Sequence, residues 1–265
     1  MKTVGFIGCG NMGGAIMGGI TAGGYVDAAH VIASDRNMKQ LEKAAESLGI
    51  CTTTDNREAA EKSDILFLAV KPQFYEDVIK EIRDTVNREK LIITIAPGWS
   101  LERLAAAFGK ELQIIRTMPN TPALVGEANI VVSPGSFVTE ENLQEALTVL
   151  GCCGKATIIP ENLMDAAVAV SGSSPAYVFM MIEAMADAAV ADGIPRSQAY
   201  TFAAQAVYGS AKMVLETGRH PGELKDMVCS PAGTTIEAVR VLEEKGFRSS
   251  IIEAMQACTR KTKGM

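Results

Sequence analysis

Apolar positions fall into short, dense runs through the first 160 residues and into helix-compatible stretches thereafter. The runs "KTVGFIG", "HVIAS", "DILFLAV", "KLIITIA", "LQIIRTM", "ANIVVS" and "KATIIP" are rich in β-branched residues and predict strands. Helix-like segments such as "NMKQLEKAAESLG" and "PQFYEDVIKEIRDTV" lie between most of them. Apolar strands separated by helices predict a parallel sheet covered on both faces. From Glu161 onward no run reads as a strand, and helical stretches are broken at "SGSSPAY", "DGIP", "TGRHPGEL", "CSPAGTT" and "EKGF". The pattern predicts an α/β domain over residues 1–161 followed by an all-helical domain over residues 162–265.

One helix departs from the amphipathic norm. From about Asn162 to Val190 the chain is apolar nearly all the way round, so the helix must be buried on every side. In so small a helical domain a second subunit is the expected cover, which predicts a homodimer or a larger ring of dimers. The alternative is the central helix of a monomeric bundle. Asp165, Glu183 and Asp187 cut the same region, which argues against a membrane span.

Composition narrows the classes further. A formal charge of −6 argues against nucleic acid as a partner, and any anionic ligand must be held by local donors. The six cysteines form no CxxC pair, and the two histidines, His30 and His220, complete no zinc-like spacing, so no metal site is expected. Buried free thiols in a reducing compartment are the expectation. The apolar run after Met1-Lys2 meets glycines almost at once, unlike a signal peptide, and a cytoplasmic protein is expected.

Candidate chemistry begins at "VGFIGCGNMGGAI", residues 4–16. Gly8, Gly10 and Gly13 match G-x-G-x-x-G between a strand and a helix, and the strand "HVIAS" follows about twenty residues on, the context of a dinucleotide-binding turn. The first glycine permits the turn, the second lets the backbone approach a pyrophosphate, and the third lets helix pack on strand. Helix N–H groups then face the phosphates. The second strand ends in Ser34-Asp35-Arg36. An acid there suits the ribose 2′-hydroxyl of NAD, whereas an Arg suits the 2′-phosphate of NADP. The forked, charge-assisted contact of Arg favours NADP(H), with Asp35 turned away and NAD(H) as the alternative.

Five further blocks, "FLAVKPQ", "RTMPNTPALVGEA", "SGSSPAYVF", "HPGELKDMVCSPAGTTIEAV" and "GFRSSIIEA", run in order along the chain. On these the chain closely resembles the pyrroline-5-carboxylate reductase family, and "SPAGTTIEAV" is the most specific of them. The resemblance implies a Rossmann domain followed by a helical dimerisation domain. It also implies reduction of 1-pyrroline-5-carboxylate to proline by NADPH or NADH, the last step of proline biosynthesis. It places the phosphate turn at Ile7, Gly8, Cys9, Gly10, Asn11 and Met12, the adenosine ribose phosphate at Ser34 and Arg36, and the adenosine near Asn56. It further assigns cofactor-lining segments to Ala69, Val70, Lys71 and Pro72 and to Ala96, Pro97 and Gly98. The nicotinamide falls near "MPNTP", with Asn120 beside it. The substrate loop becomes Ser230 to Thr235, with Ala232, Gly233 and Thr234 inside it.

Three positions depart from that pattern: Ser174 and Ala232 replace family glycines, and Thr217-Gly218-Arg219 stands where some relatives carry an acid. The first two leave the backbone usable unless a positive φ is required. In the loop, N–H groups at the start of a helix can hold a carboxylate, and the Thr235 hydroxyl can face the ring nitrogen as the catalytic group. An ordinary Thr N-cap is the competing reading. Lys71 reads as a cofactor border, Tyr177 as a site wall or core residue, His220 as a loop cap, and the methionines as packing. Two rivals remain. A β-hydroxyacid dehydrogenase needs a lysine early in the interdomain helix, yet no lysine lies between Lys155 and Lys212. A non-catalytic dinucleotide sensor would have no use for "SPAGTT".

Overall fold

The computed structural model describes residues 2–262; Met1 and residues 263–265, the outer ends of the two expected domains, lie outside the described residues. The chain forms two compact units that part between Gly172 and Ser173.

The first unit is built on an eight-stranded sheet in the order β3-β2-β1-β4-β5-β6-β7-β8. The strands are β1 (Val4–Ile7), β2 (Val31–Ser34), β3 (Cys51–Thr53), β4 (Ile65–Leu68), β5 (Leu91–Thr94), β6 (Gln113–Met118), β7 (Ala128–Pro134) and β8 (Gly154–Ile158). All but β3 coincide with a predicted run. β3 escaped notice because "CTT" is polar, three residues long and exposed for two of its three side chains. The first six strands are parallel and carry the doubly wound 3-2-1-4-5-6 order. The expectation of a wholly parallel sheet fails at the far edge, where β7 pairs antiparallel to β6 and β8 follows β7. Only residues 119–127 separate β6 from β7, too short a link for the crossover a parallel neighbour needs.

Helices α1 (Asn11–Ala22), α2 (Met38–Leu48) and α6 (Glu140–Gly151) cover one face of the sheet. Helices α3 (Asn56–Lys62), α4 (Tyr75–Ile82) and α5 (Leu101–Phe108) supply the opposite face, where Tyr75, Ile79, Leu104 and Phe108 meet Leu68, Ile92 and Ile114. Short polar caps set where the helices begin: Asn37, Asp55, Ser100 and Thr139 each accept a backbone N–H at the starts of α2, α3, α5 and α6.

The expected continuous apolar helix is two helices, α7 (Met164–Ser171) and α8 (Ser174–Ala191), interrupted at Gly172-Ser173. Helix α7 belongs to the sheet unit. Met164 is fully buried against Met118 and Val131, and Arg116, only 6% exposed on β6, pairs with Glu161 at 3.0 Å and Asp165 at 3.6 Å. Glu161 also accepts the Leu101 N–H at 2.7 Å, so one carboxylate ties β6 to the start of α5. By packing, then, the division falls eleven residues beyond the change in sequence texture.

The second unit consists of α8, α9 (Arg196–Thr217), α10 (Pro221–Val228), α11 (Thr234–Glu244) and α12 (Phe247–Thr262). Among its described residues only Ala186, Ala199 and Ala203 are buried, on α8 and α9. Phe179, Met180, Phe202 and Leu215 are 58–74% exposed. This is far more bare apolar surface than a unit of this size keeps in water. By length and composition alone residues 161–191 could cross a membrane. The break at Gly172-Ser173 and the packing of α7 on the sheet disrupt that span.

Candidate active site

In the first unit, β1 ends at Ile7 and the chain turns through Gly8 at φ 110°, where a Cβ would lie 2.7 Å from the Ala69 carbonyl oxygen. A Cβ on Gly13 would lie 2.5 Å from the Gly8 carbonyl oxygen. Both glycines are therefore demanded by the fold itself. Gly10 is not: a Cβ there would meet nothing within 4 Å. Its bareness leaves room for a group from outside the chain to approach the backbone, as the middle glycine of a pyrophosphate turn requires.

Gly10 is also the N-cap of α1 and offers no side chain to it, so the first-turn N–H groups of Asn11, Met12 and Gly13 face outward. The other N–H groups of the turn are taken. Gly8 donates to the Ser34 carbonyl at 2.7 Å and Cys9 donates to the Asp35 carboxylate at 2.8 Å. The Cys9 side chain packs in the core, and burial pushes its thiol up to about 12. Only its backbone belongs to the turn.

A cavity of about 640 Å³ opens beside this turn, lined by Ile7, Gly8, Gly10, Ser34, Arg36, Asn56, Ala69, Val70 and Lys71 together with Asp35, Phe74 and Val78. It lies at the carboxyl ends of β1, β2 and β4, where the strand order reverses. Asp35 borders it with its carboxylate already engaged, accepting the N–H groups of Cys9 and Asn37, each at 2.8 Å. Arg36 is exposed, its guanidinium 4.6 Å above the Phe74 ring. Ser34 is fully buried and donates to Asn56 Oδ1 at 2.8 Å, while Asn56 Nδ2 donates to Glu81. At the end of β2, Arg36 is the residue whose charge is free for a phosphate, and Lys71 brings a second exposed cation to the same cavity.

Pro72, Ala96, Pro97, Gly98 and Asn120 do not line that cavity. Pro72 directly follows its lining segment, and Ala96 to Gly98 follow β5. The Asn120 side chain accepts the Asn129 N–H at 2.9 Å and donates to the Ser171 carbonyl at 2.8 Å, which braces the end of β6. Sequence reading missed Phe74, Tyr75 and Trp99, although the aromatic pair in "KPQFY" directly follows the cofactor-lining motif.

In the second unit, "CSPAGTT" forms a turn closed by Gly233 N–H to the Ser230 carbonyl at 3.0 Å. Gly233 caps α11 without a side chain, leaving the N–H groups of Thr234, Thr235 and Ile236 outward. The capping reading of Thr235 therefore falls, since Thr235 is the second residue of α11. Its side chain is half-buried, and among the described residues none is recorded as bonding its hydroxyl. His220 is a cap, its Nδ1 accepting the Gly222 N–H at 3.0 Å at the start of α10.

Ala232 stands at φ 55°, the one non-glycine residue in the left-handed region among those described. That region costs an L-residue roughly 1–2 kcal/mol, while a glycine gives back roughly 0.5–1 kcal/mol through its looser unfolded state. Ala232→Gly should therefore stabilise the protein by about 0.5–1 kcal/mol and raise the midpoint of thermal unfolding by about 1–3 °C. An unchanged or lower midpoint would show that the alanine sits there without strain.

A strand turning through glycines onto a helix, at the switch point of a 3-2-1-4-5-6 sheet, defines a dinucleotide-binding protein. Comparison with known proteins narrows the class. Residues 3–98 match the family described as NADP oxidoreductase, coenzyme F420-dependent, and residues 161–265 match pyrroline-5-carboxylate reductase dimerisation. A pyrroline-5-carboxylate reductase of Escherichia coli is 53% identical over 261 residues, spanning 98% of this chain and 97% of the relative. The reductase structure from Coxiella burnetii aligns with a TM-score of 0.92 at 33% identity, over 99% of this chain and 98% of that one. The Plasmodium falciparum enzyme, solved with NADP bound, aligns at 0.89 and 30% identity, over 99% and 97%. The chain belongs to the pyrroline-5-carboxylate reductase family. It is an oxidoreductase that uses NAD(P)H and carries a dimerisation domain, which sets aside both the hydroxyacid dehydrogenase and the sensor.

Proposed function

We propose that the chain reduces 1-pyrroline-5-carboxylate to L-proline as the last step of proline biosynthesis in the cytoplasm, preferring NADPH to NADH and working as a homodimer or a ring of dimers. The observation that carries this reading is the pair of helices entered through glycine. Gly10 and Gly233 leave the first turns of α1 and α11 uncapped by any side chain, so each offers N–H groups and a positive dipole end to an anion. The first suits a pyrophosphate and the second a carboxylate.

Bound NADPH would supply the hydride that the imine carbon accepts. Asn11 and Met12 N–H groups would hold its pyrophosphate, Arg36 its 2′-phosphate, and Ala69–Pro72 and Ala96–Gly98 would border the rest. At the substrate turn the N–H groups of Thr234 and Thr235 hold the carboxylate, and the Thr235 hydroxyl hydrogen-bonds the ring nitrogen. The iminium is already electrophilic, so no strong base is needed, and a hydroxyl or water at nitrogen suffices for the proton. Ser230 supports the turn, its carbonyl accepting the Gly233 N–H at 3.0 Å.

The test is NADPH oxidation with racemic pyrroline-5-carboxylate, beside a hydroxy acid and a buffer blank, with light scattering at micromolar concentration. Oxidation that depends on the imine alone, in an assembly of two or more chains, is the expected result. Oxidation with the hydroxy acid alone, or a monomer, would overturn it.

A further inference from the structure

Two segments assigned to the cofactor, Ala69–Pro72 after β4 and Ala96–Gly98 after β5, leave neighbouring strands just where the ladder between those strands weakens. The last β4–β5 backbone bond, Ile95 N–H to the Leu68 carbonyl, is stretched to 3.4 Å. Tyr75, fully buried at the start of α4, fills the gap. Its hydroxyl donates to the Leu68 carbonyl at 2.6 Å and accepts the Ile95 N–H at 3.3 Å. One phenol thus holds the residue before each segment.

Trp99 closes the same join from the other side. It is 3% exposed, and its indole N–H donates to the Pro72 carbonyl at 3.0 Å, so a residue that follows the second segment grips the end of the first. Its ring lies 5.2 Å from that of Tyr75, tilted by 33°, and the Arg103 guanidinium covers it at 3.8 Å. Arg103 in turn donates to the Gly98 carbonyl at 3.4 Å.

We propose that Tyr75 and Trp99 are positioning residues: together they staple the Ala69–Pro72 segment to the Ala96–Gly98 segment and so set the wall that runs from the Arg36 cavity along the two strand ends, against which the cofactor rests beyond its adenosine 2′-phosphate. The neighbouring Phe74 lies beneath Arg36, so consecutive aromatic residues brace the two ends of the cradle. This rests on the proposed cofactor reading, and its test is separable from it.

Tyr75→Phe removes only the hydroxyl. Loss of one hydrogen bond's worth of positioning predicts a rise of about threefold to tenfold in KM for NADPH. KM for pyrroline-5-carboxylate and the NADPH-to-NADH preference, set at Arg36, should stay within about twofold. A purely structural role would lower Tm and leave the kinetic constants of the folded enzyme unchanged, and that result would overturn the proposal. A second measurement needs no variant. Trp99 is the only tryptophan in the chain, so its fluorescence reports on this join alone. NADP+, which takes up no tryptophan emission, should change the Trp99 spectrum, whereas adenosine 2′,5′-bisphosphate, lacking the nicotinamide half, should not. Equal changes with both ligands, or no change while NADP+ is bound, would overturn the staple. Failure of the imine-dependent oxidation would instead strike the functional reading and leave the fluorescence result standing.

Discussion

Thr235→Val is expected to lower kcat/KM for pyrroline-5-carboxylate by roughly tenfold to a thousandfold, the cost of one hydrogen bond to a polar or charged group. NADPH affinity, followed by fluorescence titration, should stay nearly constant. The substitution keeps the shape of the side chain and removes its hydroxyl. Because Gly233 and not Thr235 caps α11, the loss cannot be assigned to a broken cap. The proposed bond from the hydroxyl to nitrogen would strengthen as the imine becomes an amine, so the effect should fall on turnover more than on binding. Thr234→Val is the internal control, since the carboxylate takes the backbone N–H that survives the change. Wild-type turnover in the Thr235 variant would remove the hydroxyl from the mechanism.

Arg36→Ala should weaken NADPH binding by about 1.5–3 kcal/mol, the size of a charge-assisted hydrogen bond, and barely touch NADH. The geometry makes the asymmetry specific. Asp35, which would serve the 2′-hydroxyl of NADH, is already engaged by the backbone of Cys9 and Asn37. Ser34 is buried under Asn56. Of the three residues that end β2, only Arg36 keeps a side chain free to meet the 2′-phosphate, its guanidinium on Phe74. Equal losses for both cofactors would assign Arg36 to general shape instead.

The strands and the glycine turn were legible because both are local. β-branched runs declare burial on two faces, and G-x-G-x-x-G placed after a strand declares a turn whose sterics Gly8 and Gly13 then confirm. What escaped the sequence depends on distant partners. The antiparallel β7 follows from a link too short to cross the sheet, and α7 joins the first unit through Arg116, Glu161 and Met164, which are 45 or more residues apart from β6 to α7. The Asn120 amide, a candidate ligand by motif, is bonded to Asn129 and Ser171. Ala232 carries the left-handed turn without the glycine that such a conformation invites. For α7 and Asn120 the residue type was visible and its partner was not; for β7 and Ala232 what was hidden was the path of the backbone.

The bare apolar face of α8 and α9 sets the kinetic order of maturation. A unit with three buried alanines among its described residues has too little core to hold itself together. The sheet unit can close in a first-order step; in the proposed homodimer the helical unit gains its core on encounter with another copy, a second-order step whose rate rises with chain concentration. Dilution then slows the recovery of activity without altering the sheet.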